Sequence, residues 1–417
     1  MEEQLQRAIL VTIAKTQREV PQAEKDLDEL ERLAETAGAE TAARVIQVKD
    51  TYDPRTCIGA GKVQEIKDLT EKLSADFVIF DFELSPTQIR NLEDALGNPS
   101  VIDRTVLILD IFAKHAVTGE GKLQVELAQL KYTVPRLIGR GTALSRLGGG
   151  IGTRGPGESQ LETDKRHLHE RIYALERQLT ELANTRKTMR AARDRSGLPR
   201  IVLVGYTNAG KSTLLNALTD AGVLSEDKLF ATLDPTTRRL TLPGGEEALL
   251  TDTVGFIRNL PHHLIHAFRS TLDEVTYADY ILVVSDATDP ESEAHITVTE
   301  SLLGELGVKD RPILYVYNKC DRLPEFPQSG LLRGENKIYI SAEKRYGLSL
   351  LLSELSRRIR AGKETVTMKI PYSDLSILPS LHDAGTVEEE KYLEEGVEIT
   401  VTMDRRYLAK YARYRQS

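Results

Sequence analysis

Apolar positions recur with two periods in the first hundred residues. Residues 8–13 (AILVTI) and 44–48 (RVIQV) read as strands, a 3.6-residue pattern covers 22–37 between them, and 76–81 (DFVIFD) is a later strand between helical 63–73 and 85–96. Strands alternating with helices predict a small α/β domain with a largely parallel sheet. A long periodic run follows through Leu109, Phe112, Ala116, Leu123, Leu127, Leu130 and Val134, with its break expected at Pro135. Beyond a glycine-rich stretch, Leu161, Leu168, Ile172, Leu175, Leu179 and Leu182 repeat as a coiled-coil seam. Two such helices shield their seams by packing antiparallel, so we expect a projecting hairpin with residues 136–158 at its tip.

After Ser196-Gly197-Leu198-Pro199 the pattern changes. Strands at 200–205, 249–252, 280–286, 313–318 and 337–341 alternate with helices at 211–220, 263–272, 291–306 and 348–360, which predicts a doubly wound α/β domain with ligands at the carboxyl ends of its strands. The tail has strand-like 365–370 and 398–403 around helical 375–384. The expected organisation is an N-terminal α/β domain (1–104), a helical hairpin (105–195), a P-loop domain (198–363) and a small α+β appendage (364–417).

The 417 residues bring 55 Lys and Arg against 63 Asp and Glu, a net charge of −8, but the charge is segregated. Residues 131–200 hold 15 basic and 7 acidic side chains, an excess of +8 that leaves −16 for the rest. A basic middle in an acidic protein fits an RNA partner, and a solvated helix face with paired charges is the alternative. The tip carries Arg136, Arg140, Arg146 and Arg154 with no acidic residue before Glu158. Spaced arginines among glycines suit a polyanion, with a flexible linker as the other reading. Nothing points to DNA. No window reaches the roughly 18 apolar residues of a membrane span, and the charged N-terminus does not resemble a signal peptide, so a cytosolic protein, most simply a monomer, is expected. Cys57 and Cys320 are too few for a disulfide framework and read as reduced thiols.

Between an apolar strand and a helix stand Gly205, Tyr206, Thr207, Asn208, Ala209, Gly210, Lys211, Ser212 and Thr213, a full GxxxxGK[ST] phosphate loop. Such a loop wraps phosphates in backbone N–H groups, places the lysine on β- and γ-phosphate oxygens and puts the Ser212 hydroxyl on Mg²⁺. Asn318, Lys319, Cys320 and Asp321 end a later strand in an NKxD pattern, whose aspartate accepts from the guanine ring N–H and amino group. Adenine has no such pair of donors. Ser341, Ala342 and Glu343 follow the next strand as an SA-type element for the guanine carbonyl. Asp252, Thr253, Val254 and Gly255 form a DxxG element, with Asp252 expected on Mg²⁺ through water and the Gly255 N–H on the γ-phosphate. Asp286 and Asp289 imitate that aspartate without the following glycine. In Phe230, Ala231, Thr232, Leu233 and Asp234, Thr232 is favoured over Thr236 and Thr237 as the threonine that completes the Mg²⁺ shell.

Phe256 occupies the position where many GTPases carry a water-orienting glutamine, so no catalytic group is assigned, and hydrolysis is expected to be slow without an activating partner. Asn208 is either a K⁺ ligand or a loop residue that caps its own backbone.

The chain resembles the HflX family within the Obg-HflX branch of translation-factor-like GTPases. Besides the nucleotide motifs, the stretch from Gly148 to Asp164 (GGGIGTRGPGESQLETD), CIGAGKVQEI from Cys57, the LFATLDPTTR switch and DTVGF carry the resemblance over nearly the whole chain. The resemblance implies binding to the large ribosomal subunit, ribosome-stimulated hydrolysis and the splitting of stalled or stressed ribosomes, with the hairpin in the subunit interface and the glycine-rich loop near the peptidyl transferase region. It also implies, for some members, ATP binding by the N-terminal domain, which no complete motif here supports. Two other readings stay open: a GTP-dependent adaptor for a protein partner, and RNA remodelling driven by ATP from the N-terminal domain.

Overall fold

The computed structural model describes residues 6–145, 156–194, 198–219, 229–230, 232–261, 264, 274–308, 311–324 and 336–415. They fall into two compact units: residues up to 180 with 226–234 and 259–269, and residues 181–225 with 235–258 and 270–417.

In the first unit, β1 (Gln6–Ala14), β2 (Ala39–Val48), β3 (Phe77–Phe80) and β4 (Ser100–Asp103) form a parallel sheet in the order β2-β1-β3-β4. Central β1 has Ala8 to Val11 fully buried, as befits a parallel strand with both faces covered. Helix α1 (Val20–Ala37) has proline in its first turn, buries Leu27, Leu30 and Leu33, and stops at Gly38. Helices α2 (Ala60–Leu73) and α3 (Pro86–Leu96) follow β2 and β3, and α3 starts on a capping box between Ser85 and Gln88. The sequence pattern does not reveal β4, because four residues after a turn are too short to show a period. Its last residue, Asp103, caps α4 (Arg104–His115) by accepting from the Val106 N–H at 3.0 Å.

Arg104 is buried between Asp81, at 2.6 Å, and Glu29. Burial pushes the Asp81 carboxyl up to about 6, with Arg104 pulling the other way. Replacing Arg104 with Met strands buried Asp81 and half-buried Glu29 and is expected to destabilise this unit by about 3–5 kcal/mol. Carboxyls with folded pKa values above their unfolded ones hold more protons when folded, so their contribution to stability falls as pH rises through the folded value. Urea denaturation should therefore show a larger deficit for Arg104→Met at pH 8 than at pH 5; an equal deficit at both would contradict the burial argument.

The expected long helix before the tip is two. It breaks after α4, at Ala116 to Thr118, and α5 (Gly119–Ser145) carries Pro135 inside it rather than ending there. The second arm, α6, spans Pro156–Asp194. Helix thus takes up much of the span read as the tip loop, and residues 146–155 lie outside the described residues. Leu127, Val134, Ile172 and Leu175 form the buried seam, flanked by Leu123, Leu130, Leu168 and Leu179. Arg171 pairs with Glu126 at 2.7 Å and Lys131 with Glu176 at 2.7 Å. A link of ten residues reaches at most about 35 Å, too short to return α6 for a parallel alignment at these pairs, so the arms run antiparallel.

In the second unit, β5 (Arg200–Gly205), β6 (Thr236–Thr241), β7 (Glu247–Asp252), β8 (Tyr280–Asp286), β9 (Ile313–Asn318) and β10 (Lys337–Tyr339) form a sheet in the order β10-β9-β8-β5-β7-β6. Only the edge pair β6–β7 is antiparallel among these. Nor does it reveal β6, whose TTRRLT sequence buries only one position fully. Ile201, Leu203, Leu250, Leu282, Val284 and Val316 fill the core. Strands β11 (Lys363–Pro371), β12 (Gly385–Leu393) and β13 (Gly396–Asp404) make a separate antiparallel sheet with β13 central, packed on helical 378–384 and on Tyr411 and Tyr414.

Candidate nucleotide site

Strand β5 delivers the phosphate loop at its carboxyl end, and α7 (Lys211–Thr219) starts directly from it. Lys211 is buried, and its Nζ donates to the carbonyls of Gly205 and Tyr206 at 3.2 and 2.9 Å, which sets the ammonium at the centre of the loop. Burial lowers its pKa to about 8, with Asp252 opposing the shift. Asn208 stands at φ 61°, a left-handed conformation that asparagine tolerates and that accounts for the residue through its backbone.

The base-reading motif is tied to the loop. Asn318, at the end of β9, donates from Nδ2 to the Ala209 carbonyl at 2.9 Å and accepts from the Ala342 N–H at 2.9 Å. One amide thus links three motifs. It also explains Gly210, at φ 87°, where a Cβ would overlap the Asn318 amide. Lys319, at φ 62°, pairs through Nζ with Asp286 at 2.9 Å. Burial opposes charge on Asp286, but the bonds from Lys319 and Thr288 outweigh it and hold the carboxyl below its usual range. Asp286 therefore supports the NKxD loop and does not imitate a metal ligand. Cys320 is buried with its N–H on the Ile340 carbonyl, Asp321 is half-buried beside it, and the Ser341 hydroxyl accepts from the Lys344 N–H. Glu343 lies within reach of Arg322 at 3.3 Å. Cys57 and Cys320 are free, and burial pushes both thiols up to about 11.

Strand β7 ends at Asp252, whose carboxylate accepts from the Ser212 hydroxyl at 2.6 Å. A serine hydroxyl and a carboxylate this close are the hard oxygen donors that Mg²⁺ takes alongside phosphate oxygens and water, so these residues fit the ion. Among the described residues no cluster of three or more His, Cys, Asp or Glu could hold a metal by itself. Thr253 donates to the Leu203 carbonyl at 2.8 Å, and Val254 is buried. A Cβ on Gly255 would sit 2.6 Å from the Thr207 Cα and 3.0 Å from the Lys211 Nζ, so glycine is required for the close approach. Phe256 is 1% exposed; its N–H donates to the Gly205 carbonyl at 3.1 Å and its carbonyl accepts from the Thr207 N–H at 2.7 Å.

The switch residues belong to the first unit. Phe230 is buried edge-on against Phe112, with ring centroids 4.7 Å apart. Leu233 is buried, and the Asp234 carboxylate accepts from the N–H groups of Val117 and Thr118 at 3.0 and 2.8 Å and from the Thr118 hydroxyl at 2.5 Å. Asp234 thereby holds Thr118, whose own hydroxyl accepts from the Gly121 N–H at 2.9 Å at the start of α5, a role for Asp234 that no local spacing reveals. Thr232 is half-buried between them, and Ala231 lies outside the described residues. Thr236 and Thr237 open β6 in the second unit.

The basic hairpin divides. Arg136 is not a tip residue: its guanidinium lies 3.3 Å over the Tyr132 ring and donates to the Leu84 carbonyl at 3.0 Å, beside Asp103 at 3.5 Å. Arg140 lies on α5, with its side chain outside the description, and Arg146 and Arg154 lie outside the described residues.

Three family descriptions match in sequence order: GTP-binding GTPase N-terminal at residues 24–113, GTP-binding GTPase Middle Region at 115–193 and 50S ribosome-binding GTPase at 200–319. A protein of Caldanaerobacter subterraneus named GTPase HflX is 51% identical over 94% of this chain and 90% of its own length. The protein of that name from Escherichia coli is 41% identical over 94% of this chain and 92% of its own. A solved GTP-binding protein from Sulfolobus solfataricus in complex with GDP is 26% identical, covering 84% of this chain and 98% of that one with a TM-score of 0.44.

Proposed function

This chain belongs to the HflX family of GTPases and hydrolyses GTP to GDP and phosphate, and from that premise we propose that it is a cytoplasmic factor that binds the large ribosomal subunit and splits stalled or stressed ribosomes. The observation that carries the ribosomal part is the match of residues 200–319 to a 50S ribosome-binding GTPase. The +8 excess over residues 131–200 supports an RNA surface as the partner. No helix among the described residues is long and apolar enough to cross a membrane. The chain divides functionally into an N-terminal α/β domain at 1–104, a hairpin at 105–195, a GTPase domain at 198–363 and an appendage at 364–417.

Guanine is read by Asp321, with Asn318 bracing the loop. The phosphates lie in the backbone cradle from Gly205 to Thr213, with Lys211 on the β- and γ-oxygens. Ser212 and Asp252 would hold Mg²⁺, with Thr232 as the further ligand expected when GTP is bound. Mg²⁺ supplies positive charge to the phosphate oxygens. The γ-phosphate orders Thr232 and Gly255, so the two nucleotide states differ in affinity for the partner, and only that difference drives a binding and release cycle. Faster turnover in K⁺ than in Na⁺ would give Asn208 a cation to hold.

The test is co-sedimentation with purified large subunits in the GTP state. Replacing Arg146 and Arg154 with Ala should lower the bound fraction at least fivefold and make its dependence on salt shallower, with GTP affinity unchanged. Unchanged sedimentation would remove the tip from the contact.

A further inference from the structure

Phe256 leaves the hydrolytic site without a water-orienting glutamine, and the structure shows what has been built around that position instead. Residues 251–257 are all buried. Both backbone polar groups of Phe256 are bonded to the phosphate loop, either side of Tyr206. The Tyr206 side chain completes the attachment. Its hydroxyl accepts from the Arg258 N–H at 2.8 Å, and its ring stacks on His295 with centroids 3.7 Å apart and planes inclined by 10°. The Arg258 guanidinium pairs with Glu291 at 2.9 Å, and His295 Nδ1 lies 3.5 Å from Asp289. Helix Ser292–Glu305 starts immediately after Glu291, so the start of one helix holds the tyrosine ring through His295 and the arginine head through Glu291.

Two ties therefore fix the chain after DxxG to the phosphate loop, the Phe256 backbone and the Tyr206 hydroxyl, and the Arg258–Glu291 pair fixes it to the helix that also carries His295. The chain between Asp252 and Arg258 is held at both ends, with Gly255 against Thr207 and Lys211. In a site that does not use a mobile glutamine, preset backbone donors add to the cations in favouring the transition state, and preset donors act only if the chain carrying them does not drift.

We propose that Tyr206 is a positioning residue for GTP hydrolysis: its hydroxyl, set by the stack on His295, holds the Arg258 amide and so keeps the Gly255 N–H on the γ-phosphate as charge develops there. The role does not depend on a ribosomal partner, because every group in it belongs to this chain.

The test compares the full-length wild type with Tyr206→Phe, which keeps the ring and the stack and removes one oxygen, and with His295→Ala, which removes the stack and keeps the hydroxyl. Intrinsic GTP turnover, GTP and GDP affinity, and amide exchange across 254–259 are read on each. Tyr206→Phe should lower kcat about five- to tenfold, the loss of one buried hydrogen bond, with both affinities within twofold of wild type and faster exchange at Arg258. His295→Ala should lower kcat in the same way, and the double variant should be no slower than the slower single one, as for groups that act as one device. An unchanged kcat in Tyr206→Phe would overturn the proposal. So would a parallel loss of kcat and nucleotide affinity, which would make Tyr206 part of the loop's folding.

Discussion

Asp321→Asn is expected to weaken GTP binding by about a thousandfold and to let xanthosine triphosphate bind in its place. A carboxylate accepts from both the ring N–H and the exocyclic amino group of guanine, and an amide in its place turns an NH₂ toward one of those donors. Xanthine carries a carbonyl where guanine carries the amino group, and that carbonyl accepts from the new amide. Losing one charge-assisted bond in a half-buried site costs about 1.5–3 kcal/mol, and setting a donor against a donor costs about 1–3 kcal/mol more, which together give the stated factor. The variant should still fold, because Asn318, not Asp321, links the phosphate loop to the Ser341 loop. Titration with fluorescent GTP and xanthosine triphosphate analogues checks the swap. Equal loss of both nucleotides would show that Asp321 supports the loop without reading the base.

Lys211→Ala should raise the dissociation constant for GTP at least a hundredfold and abolish measurable turnover. The ammonium is desolvated and held at 2.9 Å from the Tyr206 carbonyl, so it is already placed for phosphate oxygens and loses little freedom on binding. Removing it leaves the phosphates with backbone donors and Mg²⁺ alone. Isothermal titration with GTP reads the effect directly, and an unchanged affinity would dismiss the phosphate-loop assignment. Asp252 keeps the Ser212 hydroxyl in the variant but loses the buried positive charge beside it, so thermal denaturation of the variant is read alongside the titration.

The motifs were legible because their chemistry is local. A phosphate loop needs glycine, lysine and serine at fixed offsets, and its strand and helix announce themselves by period. Elements that depend on distant partners were not legible. Strand β4 exists because β3 offers it an edge, and β6 because β7 does. Pro135 sits within a helix that the opposite arm of the hairpin supports, although proline alone reads as a stop. Arg136 looked like part of a basic tip, yet Tyr132 and the Leu84 carbonyl claim it. The apolar pattern of LFATL suits the burial of Phe230 and Leu233, but the contact of Phe230 with Phe112, and the hold of Asp234 on Thr118, appear only once residues more than a hundred positions apart meet. The same holds for Tyr206, Arg258 and His295, which no spacing joins.

The central claim is that this GTPase works on the large ribosomal subunit, and GTP turnover by the purified full-length protein in KCl, with and without purified large subunits, tests it most directly. A site with Phe256 in place of glutamine should turn over slowly alone and at least tenfold faster with subunits, and the stimulation should vanish in Lys211→Ala. Turnover that is identical with and without subunits, while GTP still binds, would contradict the ribosomal reading and leave a nucleotide switch that acts on some other protein.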